Sequence, residues 1–207
     1  PREPGWFESH PLLSGAGLIA LGVALDRPAD RYAQDHGANP SMKALRKAGD
    51  ALPTLALGLA GTHWLIERGS PAGDTALAAT TAGLGAYAGS KLLKTAISRD
   101  RPVEGLGPNS FGQSGSARSD SSMPSNHAAI AWAVVTPYAQ TYGQDWLYGL
   151  AGVTSFGRVM GREHWASDAI AGSLIGYHLG SWARTRLGHG ASVSLVGRGV
   201  ALSMPLP

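Results

Sequence analysis

Residues 124–140 read Pro124-Ser125-Asn126-His127-Ala128-Ala129-Ile130-Ala131-Trp132-Ala133-Val134-Val135-Thr136-Pro137-Tyr138-Ala139-Gln140. An apolar run beginning at Ala128 follows a serine of the kind that caps helix N-termini, which predicts a helix whose first turn carries Ser125, Asn126 and His127. Further apolar stretches at 11–25, 51–66, 75–90, 146–161 and 169–183 flank it. Together they predict an all-α fold, a helical bundle of about six helices.

The composition agrees with helices packed closely. Apolar residues make up 43% of the chain, yet that share leans on Ala and Gly, with 29 glycines, rather than on aromatics. A length of 207 residues suits one domain, 1–207, and demands no second. The apolar stretches are mostly shorter than the roughly 20 residues a spanning helix needs and are broken by Gly, Ser, Thr, Pro or His. With a mean hydropathy of -0.04, the expectation is a soluble helical core.

Outside the central helix, residues 1–30 read as an arm and a first helix. Pro1 to Pro11 is polar and Pro-rich, and Leu12 to Leu25 stops at Asp26-Arg27-Pro28. Pro1 in place of Met points to a processed or trimmed form. A second helix starts at Asn39-Pro40-Ser41, and Asp50 and Pro53 are expected to separate it from the run ending near Ile66. After the turn Gly69 to Asp74, Asp74 or Thr75 is expected to cap a long helix reaching about Ser98. The Gly/Ser-rich stretch between Pro102 and Pro124 reads as a rim or lid. The alternation from Ala191 onward predicts a small C-terminal β-hairpin over 191–207.

Charge excludes some functions. The net charge of +3 comes from scattered Lys and Arg without a basic stripe, so nucleic acid is not an expected partner. No cysteine is present, which removes disulfides and thiolate metal sites.

Three elements carry chemistry. Lys94 and Arg101, seven apart, share one face if the helix persists that far, and an ammonium and a guanidinium together suit a phosphoryl group. A solvated helix end explains the same spacing. Lys91 and Arg99 read as surface charges. Ser125, Asn126 and His127 lie where free backbone N–H groups bind anions, although an ordinary N-cap fits as well. Arg158, His164 and Asp168 form the third element. On a helix His164 and Asp168 face each other at i, i+4, so the carboxylate can accept one ring N–H and leave the other nitrogen free to attack. A surface pair or a metal site are the alternatives. The remaining histidines, His10, His36, His63, His178 and His189, sit in no ligand pattern, so no metal is expected.

In this order, Lys94-x6-Arg101-Pro102, Pro124-Ser125-Asn126-His127 and Arg158-x5-His164-x3-Asp168 resemble the type 2 phosphatidic acid phosphatase superfamily. That superfamily includes bacterial acid phosphatases, lipid phosphate phosphatases and vanadium haloperoxidases. The resemblance spans 94–168 and implies a helical bundle and a metal-independent phosphatase without cofactor, inhibited by vanadate. It implies His164 as the nucleophile forming a phosphohistidine, Asp168 orienting it, and His127 protonating the leaving oxygen. Lys94, Arg101, Ser125, Asn126 and Arg158 would bind the phosphoryl group. Asn126 stands where Gly is customary and Gly157 where Ser commonly precedes the Arg, which bears on substrate range and local packing. A phosphorylated small molecule or lipid is the implied substrate, with possible membrane-surface association, in the bacterial periplasm or cell envelope. The alternatives are an integral-membrane lipid phosphatase, a haloperoxidase and a non-catalytic phosphate-binding helical module.

Overall fold

The computed structural model describes residues 10–115 and 117–188, and the backbone of 192–196 and 199–203. Its helices are α1 (Pro11–His36), α2 (Pro40–Ile66), α3 (Pro71–Ile97), α4 (Asn126–Tyr142), α5 (Leu147–Met160) and α6 (Ala166–Leu187). The first three each begin on a proline, where a missing N–H forfeits no intrahelical bond. At α3 the cap is Ser70, whose hydroxyl accepts the Gly73 N–H at 3.1 Å, while Asp74 falls inside the first turn. The expected cap at Asp74 or Thr75 is thereby corrected.

Two proline boundaries are also corrected. Helix α1 runs through Pro28 and α2 through Pro53. An interior proline removes one hydrogen bond and crowds the preceding turn, at about 3 kcal/mol. Here tertiary packing grips each helix on both sides of its proline. On α1, Gly22 and Asp26 are buried before Pro28, and Ala33 joins Val159, Met160 and Ala169 in a core cluster after it.

Helix α4 is the centre of the bundle, in contact with α2, α3, α5 and α6. Its partner α6 presents Gly172, Gly176 and Gly180 at four-residue spacing. A methyl group at these positions would lie 2.4 Å from the Ser125 carbonyl oxygen, 2.2 Å from that of Ala129 and 2.7 Å from Thr136 Cβ. Only hydrogen at these positions lets the two backbones touch, the small-residue packing that glycine stripes permit. The contact sets the N-terminus of α4 beside that of α6, and Ser125 N–H donates to the Asp168 carbonyl at 3.0 Å.

Small residues fill the interior, as in the cluster of Leu77, Ala78, Ala82, Ala86, Ala129, Ala133, Ala183 and Leu187. Larger apolar side chains stand outside, among them Leu12, Leu13, Leu21 and Val23 on α1, and Leu55, Leu59 and Leu65 on α2. Because it continues past Pro28, α1 is long and apolar enough to cross a membrane by length and composition, and most of its apolar stretch is exposed. The expectation that these stretches are mostly too short or broken does not extend to this helix.

Past α6 the backbone at Ser192–Val196 and Gly199–Ser203 is extended and antiparallel. The link at 197–198, the ends and all side chains there lie outside the described residues, so the hairpin over 191–207 stays an expectation.

Candidate active site

The candidate groups gather at the ends of helices. Lys94 is buried in the last turn of α3, where its ammonium donates to the Ser121 carbonyl and, at 3.4 Å, to that of Ser122. Burial, then the neighbouring Arg101, pushes it down to about 8. Helix α3 stops at Ile97 because Ser98 turns left-handed, with φ of 52°. Lys94 and Arg101 therefore do not share a helical face, as the spacing suggested. They act on each other electrostatically across the turn at Ser98. Asp100 then pins the loop by accepting from Ser110, from Ser114 and from the Gln113 N–H at 3.1 Å.

Arg101 donates through Nε to the Asp120 carbonyl at 2.9 Å and pairs with Glu163. Arg99 is not a surface charge but a buried hub. Its Nη2 meets Asp26 at 2.7 Å, and its Nη1 meets Asp168 at 2.5 Å and Ser167 Oγ at 2.7 Å. Its Nε and Nη2 both donate to the Pro108 carbonyl, at 2.9 and 2.7 Å.

At the start of α4 the fully buried Ser125 is the N-cap, with its hydroxyl 3.5 Å from the Ala128 N–H. Asn126 Oδ1 is buried without a hydrogen-bond partner among the described residues. His127 follows in the first turn, and burial, then Lys94, lowers its pKa.

Arg158 comes from the last turn of α5. It pairs with Asp50 of α2, its Nη2 lies 3.7 Å from Glu163, and its Nε is buried without a partner among the described residues. Burial lowers its pKa. Arg162 then adopts the left-handed region, with φ of 56°, and its side chain holds Asp30 at 2.7 Å and the Pro102 carbonyl at 2.8 Å. This sharp turn delivers His164 to the interior.

His164 is buried, and its Nδ1 lies 2.7 Å from the Ser122 carbonyl. A carbonyl only accepts, so Nδ1 carries the hydrogen and a neutral ring keeps its lone pair on Nε2. The ring is neutral near pH 7, since burial, then Lys94, Arg158 and Arg101, holds its pKa well below the usual histidine value.

The facing pair of His164 and Asp168 is corrected. Helix α6 starts only at Ala166, so His164 precedes it and the i, i+4 geometry does not apply. Asp168 accepts from Arg99, from Ser122 Oγ and from the Trp165 N–H at 2.8 Å, while the ring bonds to Ser122 instead. Burial pushes the Asp168 carboxyl up, against the pull of Arg99 and Ser122.

Lys94, Arg101 and Glu163 thus act electrostatically on His127, and Lys94, Arg158 and Arg101 on His164. Three cations, two imidazoles and a helix N-terminus form a setting suited to an anion undergoing substitution. Among the described residues no group of three or more His, Asp or Glu is placed to hold a metal ion. Sequence reasoning missed Asp26, Arg99, Ser122, Ser167 and Glu163. The only signal was Asp26-Arg27-Pro28, an acid and a base at a break that the helix ignores.

Residues 75–188, more than half of the chain, match the PAP2 superfamily, and the chain belongs to it. Over 70 residues it is 36% identical to a Lipid A 1-phosphatase of Porphyromonas gingivalis, a stretch covering 30% of this chain and 16% of that protein. No solved structure matches.

Proposed function

We propose that the protein is a metal-independent phosphatase that removes a phosphoryl group from a phosphorylated lipid through a phosphohistidine on His164. The observation that carries the reading is the His164 ring itself: buried, neutral, with its hydrogen committed to the Ser122 carbonyl, and subject to the charges of Lys94, Arg101 and Arg158. A neutral imidazole with a free lone pair beside three cations is a nucleophile facing an electron-poor phosphorus once a phosphate binds.

In the first transfer His164 Nε2 attacks phosphorus, the bond to the leaving oxygen breaks, and His127 supplies the proton. In the second, water attacks the phosphohistidine, His127 takes a proton, and the P–N bond breaks to release phosphate. Lys94, Arg101, Arg158 and the N–H groups of α4 neutralise charge on the equatorial oxygens, where most of the catalytic stabilisation of phosphoryl transfer lies. Arg158 Nε is a buried donor available to such an oxygen. Asp168 acts at one remove, through Ser122.

Support for a lipid comes from the likeness to the Lipid A 1-phosphatase and from the exposed apolar length of α1, which suits a membrane or envelope location with the site near the lipid surface. The test is phosphate release with EDTA present, offering p-nitrophenyl phosphate, phosphatidic acid and lipid A in mixed micelles to wild type and His164→Ala. Lipid turnover by wild type alone, with a trapped phosphohistidine, is the expected result. Undiminished turnover by His164→Ala sinks the nucleophile. Turnover of the soluble ester only, with neither lipid, removes the lipid assignment.

A further inference from the structure

A buried polar cluster connects to the histidine and begins on a helix outside the region matched to the superfamily. We propose that Asp26 of α1 is a positioning residue for His164, acting through Arg99, Asp168 and Ser122. The proposal rests on the reading of His164 as nucleophile.

The links are continuous. Asp26, whose side chain is fully buried, accepts the Ser167 N–H at 2.9 Å, the Ser167 hydroxyl at 2.8 Å and Arg99 Nη2 at 2.7 Å. Arg99 carries a second buried carboxylate, Asp168, on Nη1. Asp168 accepts the Ser122 hydroxyl, and the Ser122 carbonyl accepts the His164 Nδ1 hydrogen. The chain of contacts ends on the atom that decides which ring nitrogen is free.

Donor and acceptor arithmetic makes Asp26 irreplaceable in kind. Arg99 has five N–H donors. Its bonds to Pro108, Ser167, Asp168 and Asp26 use all of them, so the guanidinium plane is fixed. Every contact of Asp26 is one it accepts, and both of its oxygens take part. An asparagine has one acceptor oxygen and turns an NH2 toward either the Ser167 N–H or the guanidinium, donor against donor. The guanidinium then loses one carboxylate and swings toward the other. That pulls Asp168 from Ser122 and releases the carbonyl that holds the ring.

A merely structural tie of α1 to α6 predicts something different: loss of folded protein, with turnover per folded molecule unchanged. Asp26→Asn and Ser167→Ala are therefore compared with wild type for cooperative unfolding, for kcat and KM, and for the 15N spectrum of the histidine rings, with His164 assigned by its absence in His164→Gln. In folded Asp26→Asn, kcat should fall about 10²-fold, as expected for a reacting group displaced on the ångström scale, with KM within about twofold. The His164 signal should leave the pure Nδ1-protonated form. Ser167→Ala, which removes only the hydroxyl between Asp26 and Arg99, should lower kcat about tenfold with KM kept, and it decides the matter if Asp26→Asn does not fold. Wild-type kcat in either folded variant, or a fall in kcat with an unchanged ring signal, overturns the proposal. If wild type turns over no substrate at all, the proposed function fails. The ring signal then decides alone: displaced in Asp26→Asn it upholds the positioning, unchanged it overturns it.

Discussion

Replacing Gly172 by alanine adds one methyl group at the point where α6 touches the cap of α4. That methyl would stand 2.4 Å from the Ser125 carbonyl oxygen and 3.3 Å from both Ala128 Cβ and the Ala129 nitrogen. Carbon and carbonyl oxygen approach to about 3.3 Å in ordinary contacts, so the start of α4 must retreat by roughly 0.9 Å. Overpacking of this kind destabilises by about 1 to 3 kcal/mol, whereas Gly to Ala inside a helix stabilises by about 1 kcal/mol, leaving a net loss of about 0 to 2 kcal/mol. The effect on rate should be larger. The retreat moves the anion-binding N–H groups and His127 together, and a displacement near 1 Å costs about 10²-fold in turnover. Gly85 on α3 is the matched control, because a methyl there meets nothing within 4 Å. Gly85→Ala should gain about 0.5 to 1 kcal/mol and keep its kcat. Urea unfolding and steady-state kinetics on whichever ester wild type hydrolyses read both quantities. Wild-type kcat in Gly172→Ala, with a stability gain like that of Gly85→Ala, would show that the close approach does not place the site.

The pH profile has a defined sign. His127 acts protonated, and burial and Lys94 lower its pKa in the free enzyme. Thus kcat/KM should fall as pH rises through a value below the ordinary one for histidine, with the acid limb set by His164, which burial holds well below the usual histidine value. A second fall near pH 8 is expected where Lys94 loses its proton. A profile flat from about pH 5 to about 9 would refute both assignments. Glu163→Gln removes a carboxylate paired with Arg101 and 3.7 Å from Arg158. For a partly exposed pair worth about 1 kcal/mol, vanadate should bind roughly fivefold tighter to the variant, as measured by inhibition, and equal or weaker binding would refute the competition.

The bundle was legible because helices announce themselves by apolar runs and caps. Ser125 before Ala128 is such a signal, and α4 begins where it says. Pro28 and Pro53 misled, because a proline's local penalty is smaller than the packing that carries α1 and α2 past it. In the site, local spacing placed Ser125 and His127 at the start of α4, where Ser125 is the cap and His127 lies on the first turn and the geometry depends on adjacent residues alone. It misplaced the relation of Lys94 to Arg101 and of His164 to Asp168, since both pairs straddle a turn, at Ser98 and before Ala166. Asp26 and Arg99 lie 73 positions apart, and no periodicity reports a contact at that distance.

His164 is aligned by the Ser122 carbonyl, and Lys94 leans on the same oxygen. A main-chain oxygen exists whatever amino acid occupies the position, so drift in side-chain identity cannot delete this acceptor. What endangers it is displacement, through loss of the Asp168 tether on the Ser122 hydroxyl or through a change in path length. Adding a residue between Pro108, where Arg99 is fastened, and Ser122 should strain the reach of this oxygen to both partners while every charged group stayed in the chain. In this site a frameshifted loop should be as damaging as a lost histidine.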